Sequence, residues 1–165
     1  MTISKKIGDI INKQINHELD SSYLYLAMSA YFESNNLKGF AHWMKLQAKE
    51  ELSHAMKFYD YLLERGGKVK LEQLGAQPSE WESPLRVFEE ALKHEKKVTS
   101  LINNMVDLSI AEKDHATKAL LDWFVTEQVE EEAAADEIVQ KLRMIKQAPG
   151  GLLMMDHRLA KRGKE

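Results

Sequence analysis

Residues 49–54 read Lys-Glu-Glu-Leu-Ser-His, "KEELSH". They lie in a long run of helical periodicity that places Glu51 and His54 on the apolar face. A carboxylate and an imidazole therefore stand where Leu or Phe belongs. The full seam of this helix is Phe40, Met44, Gln47, Glu51, His54, Phe58 and Tyr61. The same spacing picks out three more seams: Ile11, Ile15, Glu18, Ser22 and Tyr25; then Phe88, Leu92, Glu95, Thr99, Ile102 and Val106; then Leu121, Phe124, Gln128, Glu131, Ala135, Ile138 and Leu142. Each seam carries at least one carboxylate.

Turn residues delimit the helices that own these seams. Helix A is expected over Ser4–Glu33, ended by "SNN" at 34–36, and helix B over Leu37–Arg65, stopped by Gly66-Gly67. A connector at 66–83 contains Gly75 and Pro78. Ser83-Pro84 supplies an N-cap and a first helical residue for helix C, which runs to Glu112. "KDH" at 113–115 is a tight joint, helix D follows to Gln147, Pro149-Gly150-Gly151 ends it, and a short helix E is expected over 152–162. Four helices of about thirty residues far exceed the usual mean of about 11–12. One all-α domain spanning 1–165, a four-helix bundle with a short fifth helix, is the expected fold. The A–B and C–D joints are too short for anything but antiparallel neighbours. A connector of about 18 residues reaches up to roughly 60 Å, whereas a helix of about 28 residues is about 42 Å long. One long crossover can therefore leave B and C parallel.

Chain position then sets height. Glu18 to Glu51 and Glu95 to Gln128 are both separated by 33 residues, with midpoints at the A–B and C–D joints. Glu18, Glu51, His54, Glu95, Gln128 and Glu131 should share one layer at mid-bundle. Isolated buried carboxylates cost several kcal/mol each and repel one another. No Lys or Arg lies in the seams near this layer, so a pair of divalent ions is the economical partner. Hard oxygen donors with one imidazole favour iron or manganese over structural zinc.

Glu-x-x-His alone is a weak motif. Glu112-Lys-Asp-His115 also matches it, but falls at the C–D joint and reads as surface or cap. His17, His42, His94 and His157 lie off the seams and read as solvated or locally packed. In "EEE" at 130–132, Glu132 reads as solvated and Glu131 as part of the seam. Tyr25, seven residues after Glu18 on the same face, reads equally well as a core aromatic.

Composition narrows the classes. The chain has 165 residues, 44% hydrophobic and 30% charged, with only 3 Pro. This is a globular, helix-rich profile. A net charge of -3 gives no general attraction to nucleic acid or anionic membrane. The absence of Cys excludes disulfides, thiolate metal sites and cysteine catalysis. "MTISKKIGDI" lacks the apolar core of a signal peptide, and no apolar run approaches transmembrane length. A cytoplasmic protein is expected.

Glu18, Glu51-x-x-His54, Glu95, Gln128-x-x-Glu131 and Tyr25, in this order on four helices, resemble the non-haem ferritins. The resemblance covers the whole chain, including the crossover and helix E. Bacterioferritins and di-iron oxygenases carry Glu-x-x-His twice, whereas the second half here has Gln128 and Glu131. The resemblance implies one iron site of Glu18, Glu51 and His54 and a second of Glu51, Glu95 and Glu131, with Glu51 bridging. It implies Gln128 as a hydrogen-bonding partner for bound oxygen species and Tyr25 as an electron source or hydrogen-bond donor. It further implies a third iron site of Glu50, Glu127 and Glu130, with Glu131 shared. The implied activity is oxidation of ferrous iron by dioxygen or peroxide, with ferric mineral stored inside a homo-oligomeric shell of twenty-four subunits. Helix E, too short to add much core, would pack between subunits. Haem is not expected, because Leu52 stands where bacterioferritins place a haem-ligating Met. Lys118 and Leu121 stand where animal ferritins place the acidic residues of a three-fold channel. The access route therefore stays open, with Asp114 and Asp122 as nearby substitutes.

Overall fold

The computed structural model describes residues 2–146 and 148–164. Its five helices are α1 (Lys5–Ser34), α2 (Lys38–Glu64), α3 (Pro84–Ala111), α4 (His115–Ile145) and α5 (Pro149–Leu159). Three start on side-chain caps. Ser4 Oγ accepts from the Ile7 amide at 3.3 Å, Ser83 Oγ from Arg86 at 3.1 Å, and Asp114 Oδ1 from Thr117 at 3.0 Å. The fourth helix was expected to reach Gln147, which lies outside the described residues. It stops at Ile145, with Lys146 in the left-handed region at φ 48.

The fifth helix corrects the sequence reading. It begins at Pro149, not at 152. Proline at the first helical position loses an amide that has no intrahelical partner anyway, so Pro149 initiates a helix as readily as it ends one. Gly151 lets the new turn close onto the old one: a Cβ there would lie 2.9 Å from Ile145 Cβ. As expected, α5 adds little core, but it docks firmly. Met155 is buried, with Leu152 and Leu159 packed behind it. Asp156 supplies the cap that α2 lacks, because Leu37 at its start has no side chain able to make one. Asp156 Oδ1 accepts from the amides of Gly39 at 2.8 Å and Phe40 at 3.0 Å. The approach is so close that a Cβ on Gly39 would fall 1.6 Å from the Asp156 carbonyl oxygen.

α1 packs against α2, and α3 against α4, as two antiparallel hairpins; α1 also meets α3. The connector runs the length of α1. Asn12 donates to the Lys68 carbonyl at 2.9 Å and accepts from the Lys70 amide at 2.7 Å. One turn on, Asn16 does the same to Lys70 and Glu72, both at 2.9 Å. Gln77 then reaches Asp20, and the Trp81 ring meets Tyr31. The contacts climb α1 in order, so α2 and α3 are parallel. Two asparagine side chains thus pin the crossover expected from the sequence.

Apolar side chains form two clusters. One holds Met28, Phe32, Phe40, Met44 and Phe88; the other holds Ile11, Ile15, Phe58, Ile102 and Phe124. In every helix the seam carboxylates fall between them in chain order. On α3 the expected Phe88, Glu95 and Ile102 are buried, but between them Ala91, Val98 and Met105 are buried in place of the expected Leu92, Thr99 and Val106, each one residue later and only half-buried. The stripe keeps Glu95 and shifts by one residue at alternate turns. Likewise Ser21, not Ser22, is buried on α1. Among the described residues no helix is long and apolar enough to cross a membrane.

Gly39→Ala tests the docking of α5. The methyl group must displace the Asp156 backbone and its cap, at a cost of about 1–3 kcal/mol in the manner of overpacked sites. The expected result is a lower urea midpoint at unchanged helix content. An unchanged midpoint would show that α5 does not brace α2.

Candidate metal centre

Four helices converge on one buried polar layer. Glu18 comes from α1, Glu51 and His54 from α2, Glu95 from α3, and Gln128 and Glu131 from α4; all six are buried. Three sets of ligand atoms each lie within 4.8 Å of one another: Glu18, Glu51 and His54; Glu51, Glu95 and Glu131; and His54, Glu127 and Glu131. Glu51 belongs to two sets, and so do His54 and Glu131.

The hydrogen bonds orient these donors without neutralising them. His54 Nδ1 lies 3.3 Å from Glu51 Oε2. Gln14 Nε2 donates to Glu18 Oε1 at 2.8 Å. Gln47 Nε2 donates to Glu131 Oε2 at 2.7 Å and to Glu51 Oε1 at 3.1 Å. Gln128 Nε2 donates to Glu95 Oε2 at 3.1 Å and also reaches Thr99. The Tyr25 hydroxyl donates to Glu95 Oε1. Glu18 Oε2 is buried with no protein partner, as expected of an atom aimed at an ion.

Without a cation the layer must hold protons. Burial, reinforced by the charge on Glu51, pushes Glu95 up to about 8 and Glu131 up to about 7. Burial and Glu51 also raise Glu18 well above the carboxylate range. Burial alone would raise Glu51 too, but hydrogen bonding, led by His54, holds it low. Burial would lower His54; the adjoining Glu51 carboxylate raises it instead. One carboxylate thus stays charged while its neighbours keep protons, which divalent ions would displace.

Not every residue implied by the resemblance is drawn in. Glu127 Oε1 lies 3.8 Å from His54 Nε2. Glu130 is exposed. Glu50 turns away, its Oε2 3.0 Å from Arg162 Nη2. The third set of ligand atoms is completed by His54 rather than by Glu50 and Glu130. The second Glu-x-x-His behaves as surface and cap: Glu112 pairs with Lys6 at 2.9 Å, and His115 opens α4. Asp114 is occupied twice over, capping α4 and taking two 3.0 Å bonds from Arg65. Asp122 pairs with Lys118 at 2.6 Å. His94 is packed locally against Ser21 at 2.7 Å, edge-on to Tyr25.

Sequence reasoning overlooked Gln14 as part of the site and placed Gln47 in the seam without a role. Both sit four residues before a layer glutamate, as Gln-x-x-x-Glu on α1 and again on α2. That repeated spacing was the available signal.

Fold and site together define a four-helix bundle with a buried carboxylate–imidazole layer suited to divalent ions. The ferritin-like domain model matches residues 8–145. Bacterial non-heme ferritin from Bacteroides fragilis is 46% identical over 160 residues, covering 97% of this chain and 99% of that protein. Its counterpart from Staphylococcus saprophyticus is 38% identical, with 97% and 96% covered. The open pore ferritin of the hyperthermophilic archaeon Archaeoglobus fulgidus superposes with a TM-score of 0.96 at 50% identity, over 98% of this chain and 99% of that one. The chain belongs to the ferritin family.

The protonated layer predicts a pH dependence. Glu95 and Glu131 bind protons more tightly folded than unfolded, so their protonation stabilises the fold below the ordinary carboxylate range. That contribution is lost as pH rises through about 7 and about 8. Glu51 has the opposite sign, and its contribution is lost only in acid. Calorimetry of metal-free protein from about pH 5 to about pH 8 should show a falling midpoint, about 2–4 °C for each kcal/mol lost. Glu95→Gln should flatten the profile, and a divalent ion should reverse it. A metal-free profile identical in wild type and Glu95→Gln would contradict this account.

Proposed function

We propose that the chain is a ferroxidase: it binds ferrous iron as substrate at the buried layer, oxidises it with dioxygen or peroxide, and stores the ferric product as mineral in a hollow cage. The observation that carries this reading is the overlap of the three ligand sets. Glu51, shared by two of them, would bridge a pair of ions, one held with Glu18 and His54, the other with Glu95 and Glu131. Each ferrous ion gives up one electron, so a pair reduces dioxygen with two protons to hydrogen peroxide.

The chain's own residues set the terms of that reaction. Gln47 and Gln14 take up one oxygen on each of Glu131, Glu51 and Glu18; the second oxygen of Glu18 has no protein partner, and that of Glu51 faces His54 Nδ1, a contact an ion between them would replace. A carboxylate can switch between one-oxygen and two-oxygen binding, which favours release of the ferric product. Gln128 and Tyr25 border the second position through Glu95. Neutral donors leave the net negative charge of the site for the iron to balance. Glu50, Glu127 and Glu130, with Glu131 shared, would form a third site facing the cavity, and loading it would require Glu50 to leave Arg162.

A cage of twenty-four identical subunits is the assembly that suits this reading, and a cytoplasmic location accords with it. Exposed Met144, Leu153 and Met154, at the α4–α5 corner, are apolar surface that further copies would cover.

The test adds ferrous iron anaerobically, admits air, and follows ferric absorbance in wild type, His54→Ala and Glu131→Ala. The fast phase should slow by more than about 10-fold in both variants. Equal rates in all three would sink the site assignment. Sizing the native particle should give the mass of twenty-four chains; a monomer or dimer would remove the cage and leave the centre standing.

A further inference from the structure

The turn that follows α5 brings one cation to the edge of the metal centre. Arg162 Nη1 donates to the Trp43 carbonyl oxygen at 3.0 Å, and Nη2 to Gln47 Oε1 at 2.9 Å. The same Nη2 lies 3.0 Å from Glu50 Oε2, and the guanidinium stacks 4.3 Å over the Trp43 ring. His42 Nε2 closes the turn with a 2.8 Å hydrogen bond to the Arg162 carbonyl oxygen. All these anchors lie along one stretch of α2.

Gln47 carries the contact inward, because its amide nitrogen donates to both Glu131 and Glu51. An amide offers an acceptor at one end and two donor hydrogens at the other. Arginine only donates, and ionised carboxylates only accept. A single orientation of Gln47 therefore satisfies all three neighbours, with its oxygen on Arg162 and its nitrogen on the carboxylates. Remove Arg162 and the amide oxygen loses its charged donor, so the side chain is freer to leave the carboxylates.

We propose that Arg162 is a positioning residue of the metal centre: through Gln47 it fixes which oxygens of Glu51 and Glu131 are turned toward divalent ions, and so couples site loading to docking of the C-terminal turn. The proposal rests on the ferroxidase reading of the same site. Coupling is reciprocal, so an ion that holds Glu51 and Glu131 in place also tightens the turn. The same guanidinium occupies Glu50, so undocking the turn frees that carboxylate.

The test uses cobalt(II), which is stable in air and coloured by its coordination, on the assembled protein. Wild type, Arg162→Ala, Arg162→Lys, Gln47→Ala and the Arg162→Ala/Gln47→Ala double variant are titrated by calorimetry and visible spectroscopy. Arg162→Ala should weaken cobalt binding by about 10-fold, the lower range for residues behind a ligand, and alter the cobalt spectrum. Arg162→Lys, which keeps a donor for the amide oxygen, should recover most of the loss. In the Gln47→Ala background Arg162→Ala should add nothing. Amide exchange at residues 160–164 should slow on cobalt binding in wild type and not in Gln47→Ala. Unchanged affinity and spectrum in Arg162→Ala would overturn the proposal. So would a loss that persists undiminished without Gln47, since it would mark a structural role. If Arg162→Ala fails to assemble, the exchange comparison of wild type with Gln47→Ala decides. Wild type that takes up no cobalt would sink the ferroxidase reading itself; tight uptake indifferent to Arg162 would sink only this one.

Discussion

Repulsion among Glu18, Glu51, Glu95 and Glu131, each less than a tenth exposed, is the constraint from which the rest of the structure follows. Ionised and unpaired, they would cost more than a domain of this size gains on folding. The chain meets this locally with protons and neutral amide donors rather than with Lys or Arg. A lysine at Gln47 would pair with both carboxylates and settle the charge permanently, leaving no reason for an ion to bind. Amides satisfy lone pairs while leaving the charge unbalanced, which makes the layer poor as a core and good as a receptor.

Such a layer persists only if the structure on either side holds it. Apolar clusters flank it along the bundle, with stacked Phe58 and Phe124 on one side and Phe32, Phe40 and Phe88 grouped on the other. The ends are fixed separately: Asp114 caps α4 and holds Arg65, and Asp156 caps α2 from another helix. The connector is pinned to α1 by Asn12 and Asn16. Each device constrains the longitudinal register of one helix against another. Register is what the site needs, because one turn of slip moves a ligand by about 5.4 Å, more than the span of any ligand set.

The layer was legible in the sequence for the same reason. A helix rises uniformly per residue, so two residues equidistant from a tight joint must share a height. The midpoints near 35 and 111–112 fall within about two residues of the joints at 35–37 and 112–114, which brought Glu18 level with Glu51, and Glu95 with Gln128. Rotation is less well determined than height, and the α3 stripe was misread by one position, at Leu92 for Ala91 and Thr99 for Val98. Contacts set by neither periodicity nor a joint left no readable trace. Arg162 lies in a short basic tail, and only the folded chain shows that it reaches Gln47. The start of α5 was missed because Pro149 ends one pattern and begins another, and the choice depends on whether Gly151 can pack on Ile145.

The two hairpins share this geometry but not its chemistry. The first supplies a carboxylate, Glu51, and an imidazole, His54; the second supplies at the matching heights an amide, Gln128, and a carboxylate, Glu131. A neutral imidazole can give an ion a lone pair in the plane of its ring. An amide nitrogen can only donate hydrogen bonds, and Gln128 spends its own on Glu95 and Thr99. An ion on the Glu18 side would therefore find a nitrogen donor, whereas one on the Glu95 side would find oxygens alone, one carboxylate of which is further restrained by Tyr25. Two ions bridged by Glu51 would sit in unequal fields, the second more dependent on carboxylates that must first lose protons. Filling should then be ordered, with the His54 side occupied first and the Glu95 side following as Glu95 and Glu131 ionise. That asymmetry arises from substituting Gln128-x-x-Glu131 for a second Glu-x-x-His on an otherwise symmetric frame.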